Sequence, residues 1–231
     1  MKYKWILFDA DGTLFDYDTA ERVALTKTLA NYGCAPASEV LESYRSINSR
    51  MFRMLESGQI TPQRLRTRRF EMLFDEFEYD LDPAEVSPHY LENLSRESTL
   101  LPGAIKTVKA LHQKCRMMII TNGLSEVQRP RLTGAELNPY IDDILISDEV
   151  GSAKPAVEIF DIAFQKMGMP VKAETMIVGD SLTSDMAGGV NYGIDTCWYN
   201  PGELKNGHGI EVTYEIRQLE QLVDLVNTSD P

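Results

Sequence analysis

Five short apolar runs recur along the chain of 231 residues, and helical patterns fill most of the intervals between the later ones. The runs are YKWILF (3–8), MMIIT (117–121), DILIS (143–147), TMIVGD (175–180) and IDTCWY (194–199). Apolar residues recur at helical spacing over 103–114, 155–168, 183–192 and 215–226. Alternation of short apolar strands with helices is typical of βαβ units. We therefore predict an α/β fold with a Rossmann-like, doubly wound parallel sheet that helices cover on both faces.

The interval between the first two runs has a different pattern. Residues 17–97 show no convincing strand, and helical candidates occupy 18–32, 38–56, 62–77 and 83–97. The breaks between these candidates carry Pro, Gly or helix-capping residues, in APAS, SGQITP and DLDP. The interval is too long for an ordinary crossover between parallel strands. We predict a helical cap domain at 17–97, inserted into a core domain formed by 1–16 and 98–231.

The amino-acid composition limits the kinds of molecule that this chain is expected to bind. The formal net charge is −12, which argues against a nucleic-acid polymer or an anionic membrane as partner. No apolar stretch reaches the roughly 18 residues of a membrane span, and the start MKYKWILFDADGTL lacks the features of a signal peptide. Three widely spaced cysteines favour free thiols. We expect a cytoplasmic protein, either a monomer or a homodimer.

Charged residues collect where the apolar runs end. Asp9 and Asp11 close the first run, Asp180 and Asp185 follow the fourth, and Lys154 lies soon after the third. The carboxyl ends of parallel strands share one edge of a sheet, so these side chains are expected to converge there. Neighbouring carboxylates raise each other's pKa, and a hard cation such as Mg²⁺ relieves the repulsion. The same acids are also compatible with an Asx-turn or with helix N-termini, and Lys154 with a surface position.

The second apolar run ends in Thr121, Asn122 and Gly123. With Mg²⁺ held by the acids and Lys154 at the same sheet edge, the site can accept a phosphoryl group. The sequence therefore predicts a site for a small phosphorylated substrate. Although the chain as a whole is acidic, Lys154 and the cation would give this site the positive charge that an anionic substrate requires.

Four motifs in order carry a family resemblance. DADGTL, ITN, SAKP and GDSLTSD resemble the motifs of the haloacid dehalogenase superfamily, and the helical insert corresponds to that superfamily's cap. The resemblance implies a Mg²⁺-dependent phosphatase, a phosphoric monoester hydrolase that forms an aspartyl-phosphate. The dehalogenases that gave the superfamily its name lack an acid at the position of Asp11, so this residue favours phosphoryl chemistry.

The resemblance also implies a role for each motif residue. Asp9 would be the nucleophile, Asp11 the general acid and base, and Lys154 the group that neutralises the phosphoryl charge and Asp9. Thr121 and the main chain at Asn122 and Gly123 would bind phosphoryl oxygens. Asp9, the Asp11 carbonyl and Asp180 would hold Mg²⁺, while Asp185 would position Lys154 or a metal-bound water.

Further stretches resemble bacterial pyrimidine 5′-nucleotidases. They are SINSRMF, SGQIT and RRFE in the cap, and ISDEVGSAKPAVEIFDIAF and GGVNYGIDTCWYN in the core. The resemblance implies hydrolysis of nucleoside monophosphates such as UMP, dUMP and dTMP, with Asn48, Phe52 and Arg69 as cap residues that would set specificity. A sugar-phosphate or phosphoglycolate phosphatase, a phosphosugar mutase and a non-catalytic ligand-binding protein remain as alternatives. The arginines of QRLRTRRF (63–70) are compatible with a solvated helix face or with a substrate contact.

Overall fold

The computed structural model describes residues 2–227, and these residues divide into two compact units. The α/β unit contains residues 2–16, 100–123 and 132–227. The helical unit contains residues 17–99 and 124–131. Each unit is described by itself below.

The α/β unit contains a sheet of six parallel strands in the described part of the chain. In chain order they are β1 (Trp5–Phe8), β2 (Arg116–Thr121), β3 (Asp143–Ile146), β4 (Thr175–Gly179), β5 (Asp195–Tyr199) and β6 (Tyr214–Ile216). Their order across the sheet is β3-β2-β1-β4-β5-β6, and every pair is parallel. The reversal of direction beside β1 makes the sheet doubly wound, as predicted.

The helical unit consists largely of four helices. They are α1 (Tyr17–Asn31), α2 (Ser38–Glu56), α3 (Pro62–Phe77) and α4 (Pro83–Ser95). α3 and α4 begin as their sequences predict, because each has a proline in the first turn and a capping side chain before it. Thr61 accepts a hydrogen bond from Arg64 N–H, and Asp82 accepts one from Ala84 N–H.

The remaining helices connect the strands. They are α5 (Ala104–Leu111), α6 (Ser125–Gly134), α7 (Ser147–Val150), α8 (Val157–Lys166), α9 (Ala187–Tyr192) and α10 (Gln221–Asn227). Both faces of the sheet are buried. On β1, Ile6 and Phe8 belong to one apolar cluster, while Trp5 and Leu7 belong to another. This alternation is what a strand covered on both faces requires.

One segment departs from the predicted division of the chain. Residues 124–131 group with the helical unit, although the sequence places them in the core domain. The physical reason is apolar burial, since Leu124 and Val127 are buried in the helical unit's own cluster. The helix itself was not predicted, because Pro130 interrupts its pattern.

The end of the described chain also differs from prediction. A helix over 215–226 was expected, but Tyr214–Ile216 forms the edge strand β6 and α10 begins only at Gln221. Within β6, Ile216 is buried and pairs with Tyr199, whereas Glu215 is exposed. A strand of three residues has too few alternations to be distinguished from a helix by periodicity.

Among residues 2–227, no helix has the length and hydropathy needed to cross a membrane.

Candidate active site

The register of the three central strands brings the predicted site residues to one edge of the sheet. Phe8 of β1 pairs with Ile119 of β2 on one side and with Val178 of β4 on the other. Asp9 continues the ladder, because its N–H donates to the Val178 carbonyl at 2.9 Å. The residues that follow β1, β2 and β4 therefore emerge at the same edge.

Lys154 lies at the centre of this edge and is only 1% exposed. Its ammonium donates to Asp9 Oδ1 at 2.6 Å, to Asp185 Oδ1 at 2.6 Å and to the Ile120 carbonyl at 2.7 Å. An ammonium has three N–H donors, so all three have acceptors. Burial alone would lower the pKa of Lys154, but the charges of Asp185 and Asp9 outweigh it and raise the pKa. Lys154 is therefore a fixed cation between two carboxylates.

The Asn122 side chain holds the main chain of Lys154 from both sides. Its Oδ1 accepts from Lys154 N–H at 2.8 Å, and its Nδ2 donates to the Lys154 carbonyl at 2.8 Å. The same Nδ2 lies 3.2 Å from Ser184 Oγ. A phosphoryl contact from Asn122 would thus come from its main chain, because its side chain holds the main chain of Lys154.

Asp185 lies on a π-helical turn, Leu182–Met186, which two residues separate from the end of β4. Its Oδ1 accepts from Lys154, and its Oδ2 accepts from Ser181 N–H at 3.1 Å. A Cβ on Gly179 would collide with the Asp185 carboxylate, so the glycine is what lets this side chain fold back over the strand end. Such π-turns are frequent at functional sites.

Three carboxylates crowd together at the same place. Oxygens of Asp9, Asp180 and Asp185 all lie within 4.8 Å of one another. Burial raises the pKa of Asp9 well above its usual range; Lys154 opposes this, and the charges of Asp185 and Asp180 reinforce it. Desolvation by the surrounding protein, followed by repulsion from Asp185, raises the pKa of Asp180 to about 7. One lysine does not balance three acids, and hard oxygen ligands with excess negative charge suit Mg²⁺.

The turn after Asp9 explains the glycine of the first motif. Gly12 has φ of 84°, and its N–H donates to the Phe15 carbonyl at 3.0 Å. A Cβ at Gly12 would lie 2.6 Å from Asp180 Oδ2. Glycine is therefore required here both by the left-handed backbone and by the closeness of the acid. Thr13 lies on the same turn and its hydroxyl is 3.4 Å from Asp180 Oδ1.

Comparison with known proteins assigns this arrangement to a family. The family model for haloacid dehalogenase-like hydrolases matches residues 3–193. The chain belongs to this family. Because the members of this family are hydrolases, the chain is an enzyme.

Relatives of this hydrolase extend over nearly the whole chain. Pyrimidine 5′-nucleotidase YjjG of Escherichia coli is 34% identical, over 98% of this chain and 99% of the relative. Pyrimidine 5′-nucleotidase PynA of Streptococcus pneumoniae is 35% identical, over 98% and 96%. A crystal structure of the putative HAD-hydrolase YfnB of Bacillus subtilis, bound to magnesium, is 35% identical with a TM-score of 0.92, covering 99% of this chain and 100% of that one.

The cap residues named from the sequence have different environments in the helical unit. Asn48 and Arg69 are buried and joined, since Arg69 Nη1 donates to Asn48 Oδ1 at 3.1 Å. Asn48 Nδ2 in turn donates to Glu21 Oε1 at 2.6 Å and to the Tyr17 hydroxyl at 3.0 Å. Phe52 is only partly buried and packs against the apolar cluster instead.

Sequence reasoning missed Glu21, although a signal was available. Glu21 lies on the buried face of α1, three residues before Ala24 and four before Leu25. A charged residue at a position where the helical repeat calls for an apolar one indicates a buried partner. Ser184 carried no such signal, since only the folded π-turn brings it to Asn122.

The arginine run on α3 contains two kinds of residue. Arg64 and Arg68 both pair with Glu71, and Arg66 makes a two-bond ion pair with Glu126. Arg69 instead points into the helical unit and is 1% exposed. Arg64 and Arg68 thus fit the solvated-face interpretation, Arg66 is partly buried beside Glu126, and Arg69 lies inside the helical unit.

Proposed function

We propose that this hydrolase is a phosphatase that forms an aspartyl-phosphate on Asp9. The observation that carries the proposal is the Lys154 ammonium, which is fixed at 2.6 Å from both Asp9 and Asp185 beside a third carboxylate. A buried cation held against a nucleophilic carboxylate is suited to a reaction in which a dianionic phosphoryl group approaches that carboxylate.

The proposed reaction has two steps. In the first, an oxygen of Asp9 forms a bond to phosphorus, the bond to the ester oxygen breaks, and Asp11 gives its proton to the departing alkoxide. In the second, Asp11 takes a proton from water, the water oxygen bonds to phosphorus, and the bond to Asp9 breaks. Inorganic phosphate is released and both acids return to their starting state.

The other motif residues would support these steps. Thr121 and the main-chain N–H groups that follow it would bind phosphoryl oxygens, and Lys154 would remain protonated throughout. Asp9, the Asp11 carbonyl and Asp180 are the groups that would hold Mg²⁺, with Asp185 restraining Lys154. When bound, the ion would offset the charge of the phosphoryl oxygens and keep Asp9 ionised.

We further propose that the substrates are pyrimidine nucleoside monophosphates such as UMP, dUMP and dTMP, and that the helical unit serves as the cap. Two relatives named as pyrimidine 5′-nucleotidases, each aligned along almost the full chain, support this assignment. The cysteines Cys34, Cys115 and Cys197 are all free thiols, in agreement with the cytoplasmic location that we propose.

A panel of phosphomonoesters tests the proposal. With Mg²⁺ present, phosphate release from UMP, dUMP and dTMP should exceed release from ribose 5-phosphate, glyceraldehyde 3-phosphate and phosphoglycolate. Faster turnover of any sugar phosphate or of phosphoglycolate would refute the nucleotide assignment. Isomerisation of a phosphosugar without phosphate release would indicate a mutase.

Asp9→Asn tests the chemistry separately. The amide is a poor nucleophile, so turnover should fall by about 10⁴-fold or more. Asp75→Asn, an exposed change on α3, is the matched control and should retain wild-type turnover. Retained activity in Asp9→Asn would refute the nucleophile on every substrate.

A further inference from the structure

One aromatic side chain beside the sheet edge has no part in the proposed chemistry. Trp198 lies on β5 and pairs with Gly179, the last residue of β4. Its side chain is buried, and its Nε1–H donates to the main-chain carbonyl of Asp180 at 2.9 Å. An indole N–H can only donate, so a buried one needs an acceptor such as this carbonyl. The bond therefore joins a core strand to a residue of the proposed Mg²⁺ site.

Asp180 lies where the sheet no longer fixes the main chain. The ladder between β4 and β5 ends with the pair of Gly179 and Trp198, and Asp180 is the next residue. The π-turn begins two residues later, at Leu182. Main-chain groups beyond the end of a ladder need other hydrogen-bond partners. The indole N–H is such a partner for the Asp180 carbonyl.

Repulsion acts on the Asp180 carboxylate. Its oxygens lie within 4.8 Å of those of Asp9 and Asp185. The Thr13 hydroxyl is 3.4 Å from Asp180 Oδ1, which is longer than an ordinary bond between a hydroxyl and an oxygen. Three like charges would move apart if the main chain beneath one of them could shift. A fixed main chain at Asp180 keeps its carboxylate close to the other two.

Trp198 is suited to this task because it is held rigidly itself. Its ring belongs to an apolar cluster whose buried members include Leu7, Ile177 and Met186. β5 packs against the π-turn as well as against β4. A side chain that is already packed in this way loses little further freedom when it donates a hydrogen bond. The indole can therefore hold the Asp180 carbonyl at a small cost in entropy.

Trp198 also lies beside Asp185. Neighbouring parallel strands are about 4.8 Å apart, and paired residues share a face, so a side chain on Gly179 would be next to the indole. The Asp185 carboxylate occupies that position, because a Cβ on Gly179 would collide with it. Trp198 is thus adjacent to both acids that follow β4.

We propose that Trp198 is a positioning residue for the divalent-cation site. Its indole N–H fixes the main chain of Asp180, so that the Asp180 carboxylate converges with that of Asp9. This inference rests on the proposed Mg²⁺-dependent function. It names a residue that lies outside the four motifs and acts on the cation through Asp180.

The first test measures Mg²⁺ affinity in Trp198→Phe, which keeps an aromatic ring and loses the N–H. Calorimetric titration with Mg²⁺ alone should give a Kd about 3- to 10-fold higher than that of wild type. Trp5→Phe is the matched control, and its Kd should equal that of wild type. Trp5 belongs to the same apolar cluster but begins β1, and its ring lies 4.3 Å from the Arg116 guanidinium carbon. Equal weakening in both variants would show a general loosening of the cluster and overturn the inference.

A second variant separates the hydrogen bond from the packing. Replacing the indole of Trp198 by benzothiophene keeps a bicyclic ring of the same shape and removes only the N–H. The test therefore remains available if Trp198→Phe does not fold. The Kd for Mg²⁺ should again rise by about 3- to 10-fold. An unchanged Kd would show that the ring alone suffices and would overturn the inference.

Kinetics with p-nitrophenyl phosphate distinguish positioning from a general structural role. In Trp198→Phe, the Mg²⁺ concentration that gives half the maximal rate should rise by about 3- to 10-fold, whereas kcat at saturating Mg²⁺ should stay within about twofold of wild type. A fall in kcat with an unchanged Mg²⁺ dependence would indicate a structural role and overturn the inference.

The two proposals fail in distinguishable ways. If wild type binds Mg²⁺ but releases phosphate from no phosphomonoester, the phosphatase function is refuted, and a raised Kd in Trp198→Phe still supports the positioning role. If wild type is a Mg²⁺-dependent phosphatase and Trp198→Phe binds Mg²⁺ equally well, the function stands and the inference is refuted. Failure of wild type to bind Mg²⁺ would refute the metal site and this inference together.

Discussion

The edge of the α/β sheet and the interior of the helical unit both bury a charged side chain, but they satisfy its hydrogen bonds differently. At the sheet edge, every N–H of Lys154 has an acceptor and Asn122 fixes the lysine main chain on both sides. In the helical unit, Arg69 Nη1 donates to Asn48 Oδ1, while Arg69 Nε and Nη2 have no hydrogen-bond partner. A cation that stabilises a transition state must be held rigidly beforehand, and only the lysine is held in this way.

The largest expected loss of stability follows from removing the Lys154 ammonium at the sheet edge. Lys154→Met leaves the carboxylates of Asp9 and Asp185 buried without their counter-ion. We expect the free energy of unfolding, measured with urea in the absence of Mg²⁺, to fall by about 3 to 5 kcal/mol. The double variant Lys154→Met/Asp185→Asn should recover part of this loss, because it removes one of the two uncompensated charges. A loss below about 1 kcal/mol would contradict the view that this site is held together by its cation.

An intermediate effect is expected at Glu21, whose pKa is raised to about 7, chiefly by burial and against the hydrogen bond from Asn48. Arg69 and Arg45 lower this pKa and Asp18 raises it, but burial prevails. The folded protein therefore binds the proton more tightly than the unfolded chain, where the ordinary value is about 4.5. The stability contributed by this group is complete below about pH 4.5 and is lost as the pH rises through about 7.

Glu21→Gln removes this titration and keeps an acceptor for Asn48. Both proteins are unfolded with urea between pH 5 and pH 8. Over that range, the free energy of unfolding of the variant should rise relative to that of wild type by about 1 to 3 kcal/mol. A difference that stays constant with pH would show that Glu21 does not titrate there.

The smallest expected effect concerns a single hydroxyl. The Tyr44 hydroxyl lies beside the neutral hydroxyl of Tyr90, so Tyr44→Phe should change the free energy of unfolding by less than about 1 kcal/mol. Tyr3→Phe in the α/β unit is the comparison, since its hydroxyl donates to Asp195 Oδ2 at 2.5 Å, and it should cost about 1 to 2 kcal/mol. Equal losses in the two variants would remove the distinction between a hydroxyl bonded to a carboxylate and one beside a neutral hydroxyl.

The sheet could be predicted from the sequence because five of its strands lie in short, largely apolar runs. β6 could not, because Tyr214–Ile216 is short and its middle residue is an exposed glutamate. The pairing of β6 with β5 depends on residues far from it in sequence. The predicted sheet therefore lacked only the strand that is specified by tertiary contacts.

At the sheet edge, residue types and strand ends were sufficient to place Asp9, Lys154, Asp180 and Asp185 together. The raised pKa of Asp9 was not foreseen. Asp9 was expected to stay ionised beside a protonated Asp11, whereas burial raises the pKa of Asp9, and its repulsive neighbours are Asp185 and Asp180. Burial depends on the whole fold, which local spacing does not show.

In the helical unit, four arginines lie within six residues (64–69), and composition alone did not distinguish them. The structure separates them because Arg69 follows Leu65 by four residues and precedes Leu73 by four, which places it on the buried face of α3. The four-residue spacing from Leu65 and Leu73 would have distinguished Arg69 from the other three arginines in the sequence itself.

The membership of residues 124–131 in the helical unit has a consequence for how the chain is synthesised. The ribosome completes α1 to α4 long before it reaches Leu124 and Val127, which the helical unit buries in its own cluster. Until residue 131 has emerged, that cluster lacks two of its members and exposes apolar surface. The nascent helical unit therefore depends on sequence from beyond the second strand, and excising residues 17–99 as a portable module would leave the same surface bare.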